Sequence, residues 1–280
     1  MQRWYLYLRR LIASRSFQSI FTALPYHFAK ELTREKRGLS PFLGSATMAA
    51  MTDFAGRDAV VTGGTGALGT AVVGGLVSVG ATVHVPVYAA EELEGFPYRN
   101  HDAVKLYESL DLGVEEDVAK LYRAVPSLYA SIHVAGGFDM GPITSTSLET
   151  WDHLMRLNAT TCFLCCREAV KTMSEGEGRI VNVAARPVLV PTGQMTAYSA
   201  SKAAVAALTL SLADELSGSS IWVNAIVPSI IDTPDNRAAM PDASFDAWPK
   251  PEQIADTVAF LASPQNTVTR GALVPVYGRS

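Results

Sequence analysis

Cysteine is scarce and crowded into one place: all three cysteines stand in CFLCC, at Cys162, Cys165 and Cys166. A disulfide framework needs cysteines spread along the chain, so none is expected, and a reducing compartment suits the sequence. A structural zinc site needs a fourth ligand and paired-motif spacing, which are missing as well; no metal is expected, and the thiols read as small buried apolar residues. Long apolar runs are absent too. No stretch reaches the roughly 18 to 20 consecutive apolar residues of a membrane-spanning helix, so no membrane span is expected. Acids are missing from the start of the chain until Glu31, and residues 1–50 hold eight Lys and Arg against two acids, leaving fifteen against twenty-five in residues 51–280. An acidic body argues against nucleic acid as a partner. There is no internal repeat and no low-complexity tract.

What is present is apolar and regular. With 48% hydrophobic and 18% charged residues in 280, the chain can bury the core of one domain of roughly 200 to 250 residues and carry an appendage. The appendage is the basic stretch 1–50. Arg3, Arg9, Arg10 and Arg15 lie among aromatic and aliphatic residues, and on a helix Trp4, Leu8, Leu11 and Ile12 would share a face. Two readings follow: a mitochondrial presequence, or a tail upstream of a natural start at Met48 or Met51, which would leave the protein cytoplasmic.

Residues 51–280 alternate apolar strands with helical stretches. DAVVTGG reads as a first strand entering a Gly-rich turn, ALGTAVVGGLVSVG as a helix, ATVHVPVY as a second strand and AVKLYESLDL as a third. A fourth strand in LYASIHVAGG, a long helix over 148–173, a fifth strand in GRIVNVAA, a helix over 197–216 and a strand in SIWVNAIVPS follow. A Pro- and Asp-rich loop, a helix in PEQIADTVAFLAS and a strand in GALVPVY end the pattern. The expectation is an α/β fold: one doubly wound Rossmann domain with a parallel sheet.

Two local patterns carry chemistry. The turn from Thr62 through Gly63, Gly64, Gly66, Ala67 and Leu68 to Gly69 joins a strand to a helix, where glycines let a pyrophosphate approach backbone N–H groups. In such folds the second strand ends in an acid that takes the ribose of NAD or in a base that takes the phosphate of NADP. Here Val87 stands at that place, with Glu91 and Glu92 expected in solvent beyond it, so the choice between NAD and NADP stays open. The second pattern is YSASK, in which Tyr198 and Lys202 share one helix face. A nearby ammonium is what makes a phenol useful in proton transfer.

In this order and these contexts, the motifs resemble the short-chain dehydrogenase/reductase family over residues 56–280. The matching residues are TGGTGALG at Thr62–Gly69, Asp111 and Leu112 after the third strand, VAGG at Val134–Gly137, Asn158, YSASK at Tyr198–Lys202, and PSIIDT from Pro228 to Thr233. The resemblance implies an NAD(P)-dependent oxidoreductase of a small molecule. Asp111 and Leu112 would lie at the adenine end, Ala135 and Gly136 beneath the nicotinamide ribose, Lys202 on that ribose and Thr233 at the carboxamide. Tyr198 would donate the proton and Asn158 would support a relay. A homodimer or homotetramer built on the 148–173 and 197–216 helices is also implied.

The sequence departs from the family at four points: the first Asn of the fourth-strand signature is missing, with His133 and Val134 in that neighbourhood, and three further positions differ. Ala67 replaces the central glycine of the turn, Ser229 follows Pro228 where a glycine is usual, and Ala185 stands thirteen residues before Tyr198, where the family keeps a catalytic Ser. The quinonoid dihydropteridine reductase branch is similar in having Ala there, together with a GGxGALG turn and a TP-x-NR-x-x-MP loop, here DTPDNRAAMPDASFDAW at Asp232–Trp248. Thr192 and Gln194 are candidates for a substitute donor, Arg186, Pro187 and Met195 for a pocket wall, and Trp248 for a lid. A reductase of another carbonyl or quinone, and a non-catalytic cofactor-binding subunit, are the alternative readings.

Overall fold

The computed structural model describes residues 53–125, 127–173 and 176–280. The basic extension and its targeting reading lie outside the described residues.

Seven parallel strands form one sheet: β1 (Asp58–Thr62), β2 (Thr82–Pro86), β3 (Val104–Tyr107), β4 (Leu128–His133), β5 (Gly178–Val183), β6 (Ile221–Pro228) and β7 (Leu273–Val276), in the order β3-β2-β1-β4-β5-β6-β7. The helices are α1 (Ala67–Ser78), α2 (Glu115–Arg123), α3 (Leu148–Leu154), α4 (Thr161–Thr172), α5 (Thr196–Glu215), α6 (Pro234–Ala239) and α7 (Pro251–Ala262). The α/β reading therefore holds.

Strand composition explains the layers. A parallel sheet is covered on both faces, so its strands are apolar throughout, and alternate residues enter opposite cores. In β1, Ala59 and Val61 pack with Leu68, Val72 and Leu76 of α1 and Ile254, Val258 and Leu261 of α7. Val60 faces the other way, among Val118 and Leu121 of α2, the three cysteines of α4 and Val205 of α5. Each fully buried side chain of this size contributes roughly 1.5 to 3 kcal/mol through removal of apolar surface from water. Among the described residues no helix is long and apolar enough to cross a membrane.

The second core contains a buried polar chain whose proton directions can be deduced. Thr209 Oγ1 donates to the Val205 carbonyl at 2.8 Å, so it accepts from Asn182 Nδ2 at 2.9 Å. Asn182 Oδ1 then faces His133 Nδ1 at 2.8 Å, which places the imidazole proton on Nδ1. His133 Nε2 accepts from Ser131 Oγ at 2.8 Å, and Ser131 accepts from the Tyr122 hydroxyl at 2.7 Å. All five side chains are nearly inaccessible to solvent, and each has a partner, as burial of polar groups requires.

Three details differ from the sequence reading. The third strand stops at Tyr107, so Asp111 and Leu112 sit in the loop beyond it. The helix expected over 148–173 is α3 and α4 joined by a π-helical segment, Met155–Thr160, with Asn158 inside it. The loop after β6 contains α6 and a short 3-10 turn, Phe245–Ala247.

Candidate active site

The strand order reverses between β1 and β4, which opens a crevice at their C-terminal ends. Thr62 closes its base: its carbonyl accepts from the Val134 N–H and its hydroxyl from the Ala135 N–H, each at 3.2 Å. Here the glycine turn is packed too tightly for side chains. Gly63 has a φ of +62°, and a Cβ there would meet Ala135 N at 2.7 Å; a Cβ on Gly69 would meet the Gly63 carbonyl oxygen at 1.9 Å. Gly66 caps α1 without any side-chain hydrogen bond, and the first turn of α1 carries no acid. A helix N-terminus with no side-chain cap and no acid in its own first turn suits a pyrophosphate, so Gly64, Gly66, Ala67, Leu68 and Gly69 fit the dinucleotide expected of them. The Ala67 substitution leaves that cradle in place.

Across the crevice, YSASK opens α5. Lys202 is buried, its Nζ donates to the Val183 carbonyl at 2.9 Å, and burial pushes its pKa down to about 8, with Cys162 acting weakly in the opposite sense. Tyr198 is half-buried, and burial pushes its phenol up to about 12, so it holds its proton at neutral pH. Its ring meets Phe138 edge-on, with centroids 4.9 Å apart. Phe138 is 56% exposed and forms an open aromatic wall beside the phenol.

Asn158 holds the floor. It is buried, accepts from the Gly137 N–H and donates to the Gly137 carbonyl, both at 3.0 Å, and also donates to Ser201 Oγ at 3.0 Å. Ser201 passes its own proton to the Tyr198 carbonyl at 2.8 Å. A Cβ on Gly136 would lie 2.5 Å from Asn158 Oδ1 and 3.0 Å from Lys202 Nζ. Asn158 and Lys202 thus both lie against Gly136, and Asn158 ties the floor to α5 through Ser201.

Other expected residues are elsewhere engaged. Asp111 pairs with Arg156 at 2.9 Å and accepts from the Gly113 N–H at 2.7 Å, while Leu112 packs beside the second core. Thr233 caps α6 by accepting from the Asn236 N–H at 3.2 Å. Pro228 ends β6 against Val276. Thr192 donates to the Val190 carbonyl at 3.1 Å, and Trp248 is buried against the ring of Phe245. Gln194 is exposed in a left-handed conformation, with φ +63°, and its carbonyl accepts from Gly141 N–H at 2.7 Å. A small cavity of about 100 Å³ opens there, between Met140 and Gly141 on one side and Gln194 and Met195 on the other. Ala185 is buried just beyond β5.

His133, Cys162 and Cys166 bring ligand-type atoms within 4.8 Å of one another. Both ring nitrogens of His133 are taken up by the buried polar chain, and the two thiols are paired with each other, the Cys166 bond pulling Cys162 down to about 5 while the same bond and burial push Cys166 up, so this cluster reads as core packing. Sequence reasoning missed Ser201 and Phe138 as neighbours of Asn158 and Tyr198. Glu92, expected in solvent, instead accepts from Thr65 Oγ1 at 3.0 Å.

Residues 57–243 match the short chain dehydrogenase family. The chain belongs to that family. A short-chain type dehydrogenase/reductase of Picea abies is 31% identical over 248 residues, covering 80% of this chain and 92% of its own. A cis-4-hydroxycyclohexanecarboxylate dehydrogenase of Sinomonas cyclohexanicum is 33% identical over 242 residues, covering 80% and 96%. Among solved structures, a short-chain type dehydrogenase/reductase of Mycobacterium ulcerans superposes with a TM-score of 0.75 at 28% identity, covering 81% of this chain and 90% of that one. With family membership comes an oxidoreductase activity and an NAD(P) cofactor, and the close-packed glycine turn after β1 leaves its backbone open to such a group.

Proposed function

We propose that this short-chain dehydrogenase works as a reductase, with Tyr198 donating the proton that accompanies the hydride. The observation that carries this reading is geometric: Tyr198 and Lys202 stand one turn apart on α5, with the Lys202 ammonium fixed on Val183, and the buried phenol, pushed up to about 12, carries its proton at neutral pH. The hydride would come from a nicotinamide cofactor held by the Thr62–Gly69 turn. Lys202 holds positive charge beneath the site through its bond to Val183, and that charge lowers the cost of developing phenolate on Tyr198. Asn158 fixes the Gly136–Gly137 floor against α5 through Ser201, and Phe138 shields one edge of the phenol. Thr62 to Gly69 would cradle the pyrophosphate, and Ala135, Gly136, Pro228 and Thr233 would line the nicotinamide end. Asp111 and Leu112 would border the adenine.

Within this reading, Ala185 takes the place of the family's serine, and the substrate is one that needs little carbonyl polarisation: a quinonoid pterin-like ring, whose nitrogen receives the proton. The DTPDNRAAMP sequence supports this only in part, because most of its polar groups hold the loop itself. Arg237 pairs with Asp232 through two bonds of 2.5 and 2.9 Å, and Asn236 Nδ2 donates to the Ile231 carbonyl at 2.8 Å. The second reading, reduction of a ring ketone or quinone, draws on the exposed apolar side chains of Phe138, Met140, Leu189, Val190 and Ile230 on the loops after β4, β5 and β6, and on the cis-4-hydroxycyclohexanecarboxylate named for the Sinomonas relative. A homodimer or homotetramer belongs to the same proposal, with exposed Phe163 on α4 and Leu210 on α5 as the apolar contacts.

The test is oxidation of NADH and NADPH by the protein with quinonoid dihydropterin, beside a panel of cyclic ketones and quinones. Tyr198→Phe is expected to lose on the order of 10² or more in turnover while keeping its affinity for cofactor. Unchanged turnover would remove Tyr198 from the mechanism, and cofactor binding with no turnover on any member of the panel would leave a binding subunit.

A further inference from the structure

In a doubly wound dinucleotide fold, discrimination between NAD and NADP occurs where the adenosine ribose lies, beyond the glycine turn and the end of β2. In this chain the residue immediately after β2 is Val87. It is fully buried, its N–H bonds the Tyr107 carbonyl at 2.9 Å and its carbonyl accepts from Leu110, so it offers nothing to a ribose. The strand end is apolar, but a carboxylate reaches the turn by another route. After Val87 the chain makes a 3-10 turn, Ala90–Leu93, held in place by Leu93, which is buried in the first core. From that turn the half-buried side chain of Glu92 reaches back, and Glu92 Oε2 accepts from Thr65 Oγ1 at 3.0 Å.

This bond has two consequences. The Thr65 hydroxyl, which could otherwise donate to a phosphate, spends its proton on a carboxylate. The other Glu92 oxygen is left without a hydrogen bond among the described residues, at the rim of the turn. Neither the turn, Thr62–Gly69, nor the segment 87–95 contains a Lys or Arg, while the latter contains Glu91, Glu92 and Glu94. A ribose bearing two hydroxyls can donate to such a group. A ribose bearing a 2′-phosphate would bring two negative charges against it with no nearby cation supplied by either segment.

We infer that Glu92, presented by the 3-10 turn and oriented by Thr65, is the specificity-determining residue that selects NADH over NADPH. The inference rests on the family's NAD(P) cofactor. It moves the selecting carboxylate from the strand end, where Val87 stands, to the following turn.

The test is binding of NADH and NADPH to the full-length protein, followed by nicotinamide fluorescence, for the native chain, Glu92→Gln and Thr65→Val. The native protein is expected to bind NADH about tenfold or more tightly than NADPH, the scale of a like-charge contact at a partly exposed site. Glu92→Gln removes the charge and keeps the shape, so it should tighten NADPH and weaken NADH, closing most of that ratio. Thr65→Val releases the carboxylate and should weaken NADH without improving NADPH. Thermal melting of each variant reports whether the fold is retained, and Glu92→Gln at a partly exposed turn is the conservative substitution in the set. A native preference for NADPH, or a ratio unmoved by Glu92→Gln, overturns the proposal while leaving the cofactor reading intact. Failure of the native protein to bind either nucleotide overturns both.

Discussion

Lys202 donates to the carbonyl of Val183 across 2.9 Å, which fastens the only charge of the YSASK segment to the last residue of β5. The ammonium is out of water and close to the Gly136 floor, so its protonation is tied to the geometry on which Tyr198 depends.

That link makes activity fall on the alkaline side. The folded-state pKa of Lys202 is about 8, against an ordinary 10.5, so the charge is lost as pH rises through about 8 while Tyr198, at about 12, stays protonated. Reductive turnover should be level below this point and decline above it, and a kcat profile from pH 6 to 10 checks it. Stability moves the other way: between about 8 and 10.5 the unfolded chain binds more protons at this lysine than the folded one, so this group's contribution to stability rises with pH there. Denaturant titrations at pH 7.5 and 9.5 of the native chain and Lys202→Met isolate that contribution, which the variant should lack.

Ala185→Ser separates the substrate readings. The site is buried at the end of β5, so an added hydroxyl would be presented at a fixed place. Turnover of a quinonoid dihydropterin should change less than about threefold, because no carbonyl is being polarised. If the natural substrate is a ketone, the same substitution should raise kcat/KM by about tenfold or more, toward the range that one preorganised donor supplies.

Two glycine-to-alanine changes should have opposite signs. At Gly136 the new methyl would lie 2.5 Å from Asn158 Oδ1 and 3.0 Å from Lys202 Nζ, forcing both from place. About 1 to 3 kcal/mol of stability and most of the turnover should be lost. At Gly75, inside α1, nothing lies within 4 Å of an added Cβ. Alanine there should stabilise by about 0.5 to 1 kcal/mol through helix propensity. Urea unfolding of the two variants provides the comparison.

The fold was legible because its signals are local: apolar runs four to eight residues long, glycines at a strand-to-helix turn, and helices starting near 197 and 251. The candidate site was legible where two side chains share a short spacing on one helix, as with Tyr198 and Lys202. It was not legible where a side chain works across a large separation. Nothing near Glu92 in sequence announces Thr65, and His133 meets Asn182 only because β4 and β5 are neighbours. Asp111 shows the reverse case: the order of motifs singles it out, but nothing in its sequence neighbourhood announces that its carboxylate pairs with Arg156, two residues before Asn158. The Pro- and Asp-rich loop hid α6 because a helix of that length has no periodicity to read.

The π-helical segment at Met155–Thr160 acts as a phase shift between two helices that would otherwise be one. A π turn contains one residue more than an α turn, so everything on its N-terminal side is rotated by about 100° relative to uninterrupted helix. The angular setting of α3, and with it the direction in which Leu154 enters the core, is therefore coupled to the same local irregularity that aims Asn158 at Gly137. Removing a single residue from this segment would let the helix heal and turn Leu154 away from its place. The active-site floor and the orientation of the preceding helix are thus two readouts of one extra residue, and a sequence change that repairs one would misalign the other.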